Sequence, residues 1–292
     1  MTMTRLKHPM KRVGFVVNQS HPAAPELVRL LGDCLRARQI EFFGEADGAA
    51  GLGLTPAASN EVFEEADLCV ALGGDGTLLR AARRLGDREI PIFGVHMGAL
   101  GFMTEITVED AAALLAKVVE GDFTVQRRVK LDVHLASRRL GTVLNELALN
   151  RGPRARIIDI ELAIDGRFAT RFRADGIIVS TPTGSTGYAL SAAGPILDPA
   201  LSATLITPIC PHTLGLRPLV VPSQSQVELC LRFDPDDSSA LLTLDGQSAE
   251  TCVRPLDRLR ITRARSDVLL VRNPNVDFFS ILRSRLGWGC RP

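Results

Sequence analysis

Residues 68–85 have the sequence LCVALGGDGTLLRAARRL, and this stretch decides how the rest of the chain is interpreted. The apolar run Leu68–Leu72 predicts a buried β-strand, and Thr77–Leu85 predicts an α-helix. The glycines between them predict a tight turn that exposes backbone N–H groups at the start of the helix. Such a turn can cradle a phosphate group.

Asp75 is the unusual member of this turn, because an anion site alone has no use for a carboxylate. A phosphate site with an acid inside it suggests phosphoryl transfer to a hydroxyl group that lies beside Asp75. The same residues are also typical of an ordinary Asp-Gly turn between a strand and a helix. Taken alone, the stretch does not separate these two interpretations.

Composition limits the classes of function that fit the chain. The 292 residues are 46% hydrophobic, which is enough for two domains with cores of their own. The single Trp and single Tyr give no aromatic platform for single-stranded nucleic acid. A net charge of +1 gives no strong field toward DNA or a membrane surface. We therefore expect no nucleic acid and no membrane among the partners.

The cysteines and histidines indicate no metal site. None of the six cysteines forms a CxxC pair, and the five histidines have no ligand spacing. No stretch approaches the roughly eighteen apolar residues of a spanning helix. We expect a soluble protein in the reducing cytoplasm.

The first part of the chain alternates strands and helices, which predicts an α/β domain with a mostly parallel sheet. Thr107–Glu120 predicts a helix that Thr107 and Asp110 start with a capping-box-like pair. No GxGxxG follows the first strand and no GxxxxGK[ST] occurs, which disfavours a dehydrogenase-type Rossmann site and a P-loop. A helix is also predicted at Pro25–Arg38, and strands are predicted at Arg12–Asn18, Ile40–Phe43 and Ile90–Val95.

The second part predicts an all-β, sandwich-like domain. Apolar residues alternate on both sides of Asp165-Gly166, which is a strong hairpin signal. A second Asp-Gly turn, Asp245-Gly246, follows another short strand. A final helix carries Phe278, Phe279, Leu282 and Leu286 on one face. The predicted boundaries are 1–122 for the α/β domain, 123–272 for the β-rich domain and 273–292 for the C-terminal segment.

Two more polar stretches suggest ligand contacts. Thr181–Tyr188, with the sequence TPTGSTGY, lies between an apolar strand and a helix start, although such composition is also typical of a surface turn. Asn145 can pair with an adenine edge, and Glu146 can accept hydrogen bonds from ribose hydroxyls. Alone, an Asn-Glu pair on a strand carries little information.

These stretches occur in the order seen in NAD kinases, and the chain resembles that family from Arg12 to the last helix. The resemblance rests on Gly73–Thr77, Asn145-Glu146, Asp175 with Thr181–Tyr188, and Leu244–Gln247. It implies an ATP-dependent kinase that phosphorylates the 2′-hydroxyl of the adenosine ribose of NAD to make NADP. It also implies Mg²⁺ bound with ATP, a homodimer or homotetramer, and a C-terminal segment that packs back on the first domain.

The resemblance assigns roles residue by residue. Asp75 matches the catalytic proton acceptor. The residues that match nucleotide contacts are Gly73, Gly74, Gly76, Thr77, Asn145, Glu146, Arg156, Arg173, Asp175, Thr183, Gly184, Ser185, Thr186, Gly187, Tyr188 and Gln247. Gly187 departs from the family, whose members usually have Ala there.

Two alternatives remain open at this point. The first alternative is a lipid or sugar kinase that has only the glycine-rich turn in common with this chain, because such kinases share that turn. The second alternative is a sensor that binds a dinucleotide and catalyses no reaction.

Overall fold

The computed structural model describes residues 4–5, 10–57, 63, 65–151, 157–232 and 240–289. The chain divides into two compact units, which are Met1–Arg127 with Asp267–Pro292, and Arg128–Ser266. Among the helices of these described residues, none is long and apolar enough to cross a membrane. The predicted combination of an α/β part and a β-rich part is confirmed.

The first unit is built on one eight-stranded sheet. With strands numbered in chain order over both units, it contains β1 (Thr4–Arg5), β2 (Arg12–Val17), β3 (Glu41–Gly44), β4 (Thr55–Pro56), β5 (Leu68–Gly73), β6 (Pro91–His96), β7 (Thr124–Arg128) and β20 (Val268–Val271). Their spatial order is β1-β7-β20-β6-β5-β2-β3-β4. The pairs from β20 to β4 are parallel, and β1 and β7 are antiparallel.

Helices cover both faces of this sheet. The helices of the unit are α1 (Ala24–Arg36), α2 (Asp75–Leu85), α3 (Val108–Val119) and α5 (Phe278–Leu286), with a 3₁₀ turn at Ala50–Leu52. Phe93 and Val95 of β6 share a core with residues of α1 and α3. Gly94 lies between them and faces the other way. A Cβ on Gly94 would lie 2.9 Å from Leu78 of α2, so this glycine lets α2 pack close to the sheet.

Local signals set the ends of these helices. The Thr107 hydroxyl accepts a hydrogen bond from the Asp110 N–H (3.1 Å), which confirms the predicted start of α3. Asp277 and Ser280 form a reciprocal capping box at the start of α5. Gly287 ends α5 with φ at 61°, a left-handed conformation that glycine adopts at little cost.

The C-terminal segment returns to the first unit, as expected. Strand β20 pairs in parallel with β6, and α5 belongs to the same unit. The boundaries between the units fall at 127/128 and 266/267, whereas the sequence placed them at 122/123 and 272/273. They differ because β7 and β20 pair into the first sheet, and strand partners so distant in sequence leave no local pattern.

The second unit contains two six-stranded antiparallel sheets. Its strands are β8 (Leu131–Leu135), β9 (Arg138–Val143), β10 (Glu146–Asn150), β11 (Ile158–Ile164), β12 (Arg167–Ala174), β13 (Gly176–Ser180), β14 (Ala203–Ile209), β15 (Leu219–Pro222), β16 (Val227–Arg232), β17 (Ala240–Leu244), β18 (Gln247–Val253) and β19 (Arg258–Arg263). The sheets have the orders β12-β11-β16-β19-β8-β9 and β15-β14-β13-β10-β17-β18.

The two sheets share one apolar core, which makes the unit a β-sandwich. Ile160 and Leu229 from one sheet and Leu147 and Leu149 from the other belong to the same buried cluster. Ala148 alternates with Leu147 and Leu149, and it joins a smaller cluster on the outer face with Ala189 and Leu205.

Both predicted Asp-Gly turns are present. Asp165 and Gly166 have φ values of 52° and 74°, and Asp245 and Gly246 have values of 47° and 72°. Positive φ at both central residues is the geometry of tight hairpin turns that match strand twist.

Candidate active site

The glycine-rich turn leads directly from a buried strand into a helix. Strand β5 ends at Gly73, Gly74 is extended, and α2 begins at Asp75. A Cβ on Gly73 would lie 2.1 Å from the Thr77 hydroxyl, so only glycine allows Thr77 to fold back over the turn. A Cβ on Gly74 or Gly76 would meet no described atom within 4 Å. The first N–H groups of α2 therefore belong to a backbone that is open to an anion.

The Asp75 carboxylate is held by the loop that follows β6. Phe102 N–H donates to Oδ2 (2.8 Å), while the N–H groups of Met103 and Thr104 and the Thr104 hydroxyl all donate to Oδ1 (3.1 Å each). A Cβ on Gly101 would lie 2.1 Å from Oδ1, so only glycine fits there. Oδ1 receives three donors and Oδ2 receives one, and this fixes the orientation of the carboxylate.

The contact between this loop and Asp75 was not predicted from the sequence. The signal was present in the glycines of Met97–Phe102, but a hydrogen bond between residues 27 to 29 positions apart leaves no local periodicity.

The second polar cluster is organised by Asp245. Its carboxylate accepts hydrogen bonds from the N–H groups of Leu144 (2.9 Å), Asn145 (2.7 Å) and Glu146 (3.2 Å). Asp245 N–H in turn donates to the Glu146 carbonyl (2.9 Å). The turn between β17 and β18 thus sets the backbone at the start of β10. The sequence predicted Gln247 of this turn as a ligand contact, and it did not indicate that Asp245 holds the backbone of residues 144–146.

The hydroxyl-rich loop uses most of its hydroxyls to hold its own shape. It forms a 3₁₀ helix at Thr183–Thr186, followed by α4 (Tyr188–Ser191). The Thr181 hydroxyl donates to the Leu144 carbonyl (2.6 Å), and the Ser185 hydroxyl to the Pro182 carbonyl (2.6 Å). Thr181 and Ser185 are fully buried. These hydroxyls therefore act within the protein, and the loop presents its more exposed residues, Thr186 to Tyr188, to solvent.

The loop packs tightly against Asn145. Thr181 N–H donates to the Asn145 carbonyl (2.9 Å), and a Cβ on Gly184 would lie 2.2 Å from that oxygen. Gly184 is needed for this close approach. The structure therefore brings together Asn145, Glu146 and the predicted loop Thr183–Tyr188.

Glu146 is a buried carboxylate with an unusual pKa. Burial, and secondly repulsion from Asp245, raise its pKa to about 7, while the Tyr188 N–H lowers it. Among the described residues, Glu146 Oε2 and Asn145 Oδ1 are buried and have no hydrogen-bond partner. A Cβ on Gly187 would lie 3.1 Å from Glu146 Oε2, so glycine at this position leaves more room around the oxygen than alanine would. Two acceptors without donors match a ligand rich in N–H or O–H groups.

The other predicted contact residues either lie apart from this cluster or fall outside the described residues. Arg156 lies outside the described residues. Arg173 is exposed on β12, and Asp175 is half-buried and paired with Arg151 (Nε to Oδ1, 3.3 Å). Gln247 is exposed at the start of β18. In the part of the chain that the structure describes, none of these three side chains bonds to Asn145 or Glu146.

The described residues contain no group of three or more His, Cys, Asp or Glu side chains that could hold a metal ion. The chemistry of the two clusters is instead that of anion and nucleoside recognition. In the first unit, an open helix N-terminus with a fixed carboxylate is typical of phosphoryl transfer, and in the second unit, buried acceptors beside a polar loop are typical of nucleoside binding. These two features are those of the class of nucleotide-dependent phosphotransferases.

Comparison with known proteins gives the particular family. Residues 13–123 match the family model of the ATP-NAD kinase N-terminal domain, and residues 144–273 match that of the ATP-NAD kinase C-terminal domain. The chain belongs to the ATP-NAD kinase family. The NAD kinases of Geotalea daltonii and Trichlorobacter lovleyi are 42% and 43% identical to it, over 97% of this chain and all of theirs.

Solved structures show the same similarity. Yeast NADH kinase, in a complex with NADH, superposes with a TM-score of 0.91 at 25% identity, over 99% of this chain and 92% of its own. An NAD kinase from Archaeoglobus fulgidus, in a complex with ATP, gives a TM-score of 0.73 at 29% identity, over 95% of this chain and 97% of its own.

Proposed function

We propose that this protein transfers the γ-phosphoryl group of ATP to the 2′-hydroxyl of the adenosine ribose of NAD, making NADP. The observation that carries the proposal is Asp75, a carboxylate fixed at the first turn of α2 beside an open glycine backbone. The family membership and the ATP and NADH complexes of similar proteins support the choice of substrates.

Asp75 is the proposed catalytic residue. The ribose 2′-oxygen attacks the γ-phosphorus, the bond between that phosphorus and the bridging oxygen breaks, and ADP leaves with the electron pair. Asp75 orients the hydroxyl and takes its proton. The γ-phosphate binds against the backbone of Gly73, Gly74 and Gly76, and Thr77 shapes that turn from inside. Because such transition states are loose, positioning matters as much as proton transfer.

The second unit is proposed to bind the NAD adenosine. Asn145 recognises the adenine edge, and Glu146 accepts hydrogen bonds from ribose hydroxyls with its unpartnered Oε2. The loop residues Thr183, Gly184, Ser185, Thr186, Gly187 and Tyr188 form the wall of this site. Arg156, Arg173, Asp175 and Gln247 are proposed as outer contacts, with the arginines near the pyrophosphate.

Mg²⁺ is proposed to enter with ATP. Since the described residues offer no cluster of metal ligands, the ion would be held mainly by phosphate oxygens and water, as Mg²⁺ commonly is in nucleotide sites. The ion would supply neutralisation of phosphate charge.

A homodimer or homotetramer in the reducing cytoplasm completes the proposal. Strand β15 is an edge of its sheet, and its Leu219 and Val220 are each 43% exposed. An exposed apolar edge is a pairing surface for a second copy. Cys34, Cys69, Cys210 and Cys230 are free thiols, as is usual in a reducing compartment.

One assay tests the function and its alternatives. Purified protein is mixed with Mg-ATP and NAD, and NADP is detected with an NADP-specific dehydrogenase. NADP formation supports the kinase. NAD binding without turnover would select the dinucleotide sensor, and neither binding nor turnover would favour a lipid or sugar kinase.

A further inference from the structure

We propose that the loop Gly101–Glu105 positions Asp75 for catalysis and that Thr104 is the positioning residue at its centre. The inference rests on the proposed role of Asp75 and adds a second group of residues on which that role depends. Thr104 touches no reacting atom in this proposal and acts only through the carboxylate.

The contacts of the carboxylate divide its two oxygens into different tasks. Oδ1 receives three donors, two of them from Thr104, which is fully buried. Among the residues that the structure describes, the Phe102 N–H is the one donor to Oδ2. Rotation of the carboxylate would break several of these hydrogen bonds at once, so the loop holds it in one orientation. Oδ2, which has room for another donor, is left as the oxygen that meets the acceptor hydroxyl.

Gly101 supports the same arrangement by its lack of a side chain. A Cβ there would lie 2.1 Å from Asp75 Oδ1 and 2.4 Å from the Thr104 hydroxyl. A methyl group at this position would displace both partners of the central hydrogen bond. The sequence of the loop therefore allows the carboxylate to approach its backbone.

The far end of the loop is held by Arg272 and Asn273, which directly follow β20. Glu105 is buried and forms an ion pair with buried Arg272 (Oε2 to Nε, 2.9 Å). Arg272 also donates to Gln126 Oε1 (2.7 Å), and the Asn273 side-chain amide donates to the Glu105 carbonyl (3.3 Å). Because Glu105 follows Thr104 directly, this buried network fixes the backbone that holds Asp75.

The experiment compares Thr104→Val, which removes the hydroxyl at nearly constant volume, with Thr104→Ser, which keeps it. Thr204→Val is the matched control, since Thr204 is also buried and its hydroxyl has no partner among the described residues. We expect Thr104→Val to lower kcat about tenfold, with KM for NAD and ATP within about twofold of wild type, because small misplacements cost rate rather than binding. Thr104→Ser should restore most of kcat, and Thr204→Val should keep wild-type kcat.

A double-mutant cycle separates positioning from other roles. In an Asp75→Asn background, Thr104→Val should cause no further loss of kcat, because Thr104 acts only through the carboxylate. The same fractional loss in both backgrounds would overturn the proposal, as would unchanged kcat in Thr104→Val. A rise in KM with constant kcat would also overturn it.

A second variant keeps the test decisive if Thr104→Val does not fold. Gly101→Ala leaves the hydroxyl in place but displaces the carboxylate, and it should lower kcat at least as much. Near-normal kcat in Asp75→Asn would overturn the proposed role of Asp75 and, with it, the role of the loop. A large loss in Asp75→Asn beside wild-type kcat in both Thr104→Val and Gly101→Ala would overturn the loop's role alone.

Discussion

Asp75 in the first unit and Glu146 in the second are the two carboxylates at the centre of the proposed chemistry, and the protein treats them in opposite ways. Asp75 accepts four hydrogen bonds from one loop. Glu146 is buried, accepts from the Tyr188 N–H, and keeps Oε2 without a partner among the described residues. The first carboxylate is fixed before any substrate arrives, whereas the second keeps one oxygen, Oε2, without a donor among the described residues.

The difference comes from how each backbone distributes its N–H groups. Three successive N–H groups of the loop 102–104 converge on Asp75. At the start of β10 the three successive N–H groups converge on Asp245 instead of on Glu146. The same arrangement, a carboxylate held by successive backbone N–H groups, thus orients the proposed catalytic group in one unit and the proposed binding segment in the other. From this difference we expect Asp75 to affect mainly kcat and Glu146 to affect mainly the affinity for NAD.

The largest effect should follow Asp75→Asn. The amide keeps the size of the carboxylate but replaces one hydrogen-bond acceptor oxygen with a donor. The ribose 2′-hydroxyl of NAD then loses the oxygen that would accept its proton. We expect kcat to fall by about 10²–10⁴-fold, the usual contribution of a positioned acid or base. Steady-state NADP formation measures this loss, and wild-type folding is checked by circular dichroism. A kcat within a few-fold of wild type would contradict the assignment.

The next effect concerns stability and pH. The pKa of Glu146 is raised in the folded protein from 4.5 to about 7, so the folded state binds a proton more readily than the unfolded chain does. This contribution to stability is fully present below about pH 4.5 and is lost as pH rises through about 7. The amide of Glu146→Gln does not ionise, so the variant keeps this stability at every pH. The variant's Tm minus the wild-type Tm should therefore be larger at pH 8 than at pH 5.

The size of this effect is bounded by the shift in pKa, which corresponds to about 3 kcal/mol at most. Thermal unfolding of both proteins at pH 5, 6, 7 and 8 without ligand measures it. Asp159→Asn is a suitable control, because its partner Arg171 lowers the pKa of that carboxyl below its ordinary value. Asp159 therefore stays ionised from pH 5 to 8, and the Tm difference between this variant and wild type should not change with pH. A Tm difference between Glu146→Gln and wild type that does not change with pH would contradict the raised pKa.

A smaller effect is expected on NAD affinity. The ionised Glu146 is a stronger acceptor for ribose hydroxyls than the neutral acid. Wild-type affinity for NAD should therefore increase as pH rises from 6 to 8. Glu146→Gln should bind about tenfold more weakly at pH 8 and show little pH dependence. Isothermal titration with NAD measures both, and an unchanged affinity in the variant would exclude Glu146 from the NAD site.

The smallest effect should follow Arg173→Ala. Arg173 is exposed, so its attraction to the NAD pyrophosphate is screened by water and salt. We expect KM for NAD to rise about threefold at low salt and the difference to shrink at high salt. Arg260→Ala, which removes another exposed arginine of the same unit, is the control. Equal effects in the two variants would show a general charge effect instead of a contact.

The sequence predicted those parts of the fold that depend on local patterns. The strand before Gly73, the Thr107 cap and both Asp-Gly turns follow from neighbouring residues. Strand β20 joins β6 across a long stretch of chain, and no local pattern indicates that pairing. Its apolar residues would fit either unit.

The same limit applies to the site. The residue types at Asp75, Asn145 and Glu146 indicated phosphate and nucleoside chemistry. Their partners Thr104 and Asp245 were missed because those contacts join segments 29 and 99 or more residues apart. The hydroxyls of Thr181 and Ser185 looked like ligand groups in the sequence, but in the structure they bond to nearby carbonyls. Burial decides such roles, and burial is a property of the fold.

Titration of NAD into Asp75→Asn and Glu146→Gln, side by side at pH 8, tests the division between the two carboxylates most directly. We expect Asp75→Asn to bind NAD within about threefold of wild type and Glu146→Gln to bind it about tenfold more weakly. The reverse result, with affinity lost in Asp75→Asn and kept in Glu146→Gln, would contradict it.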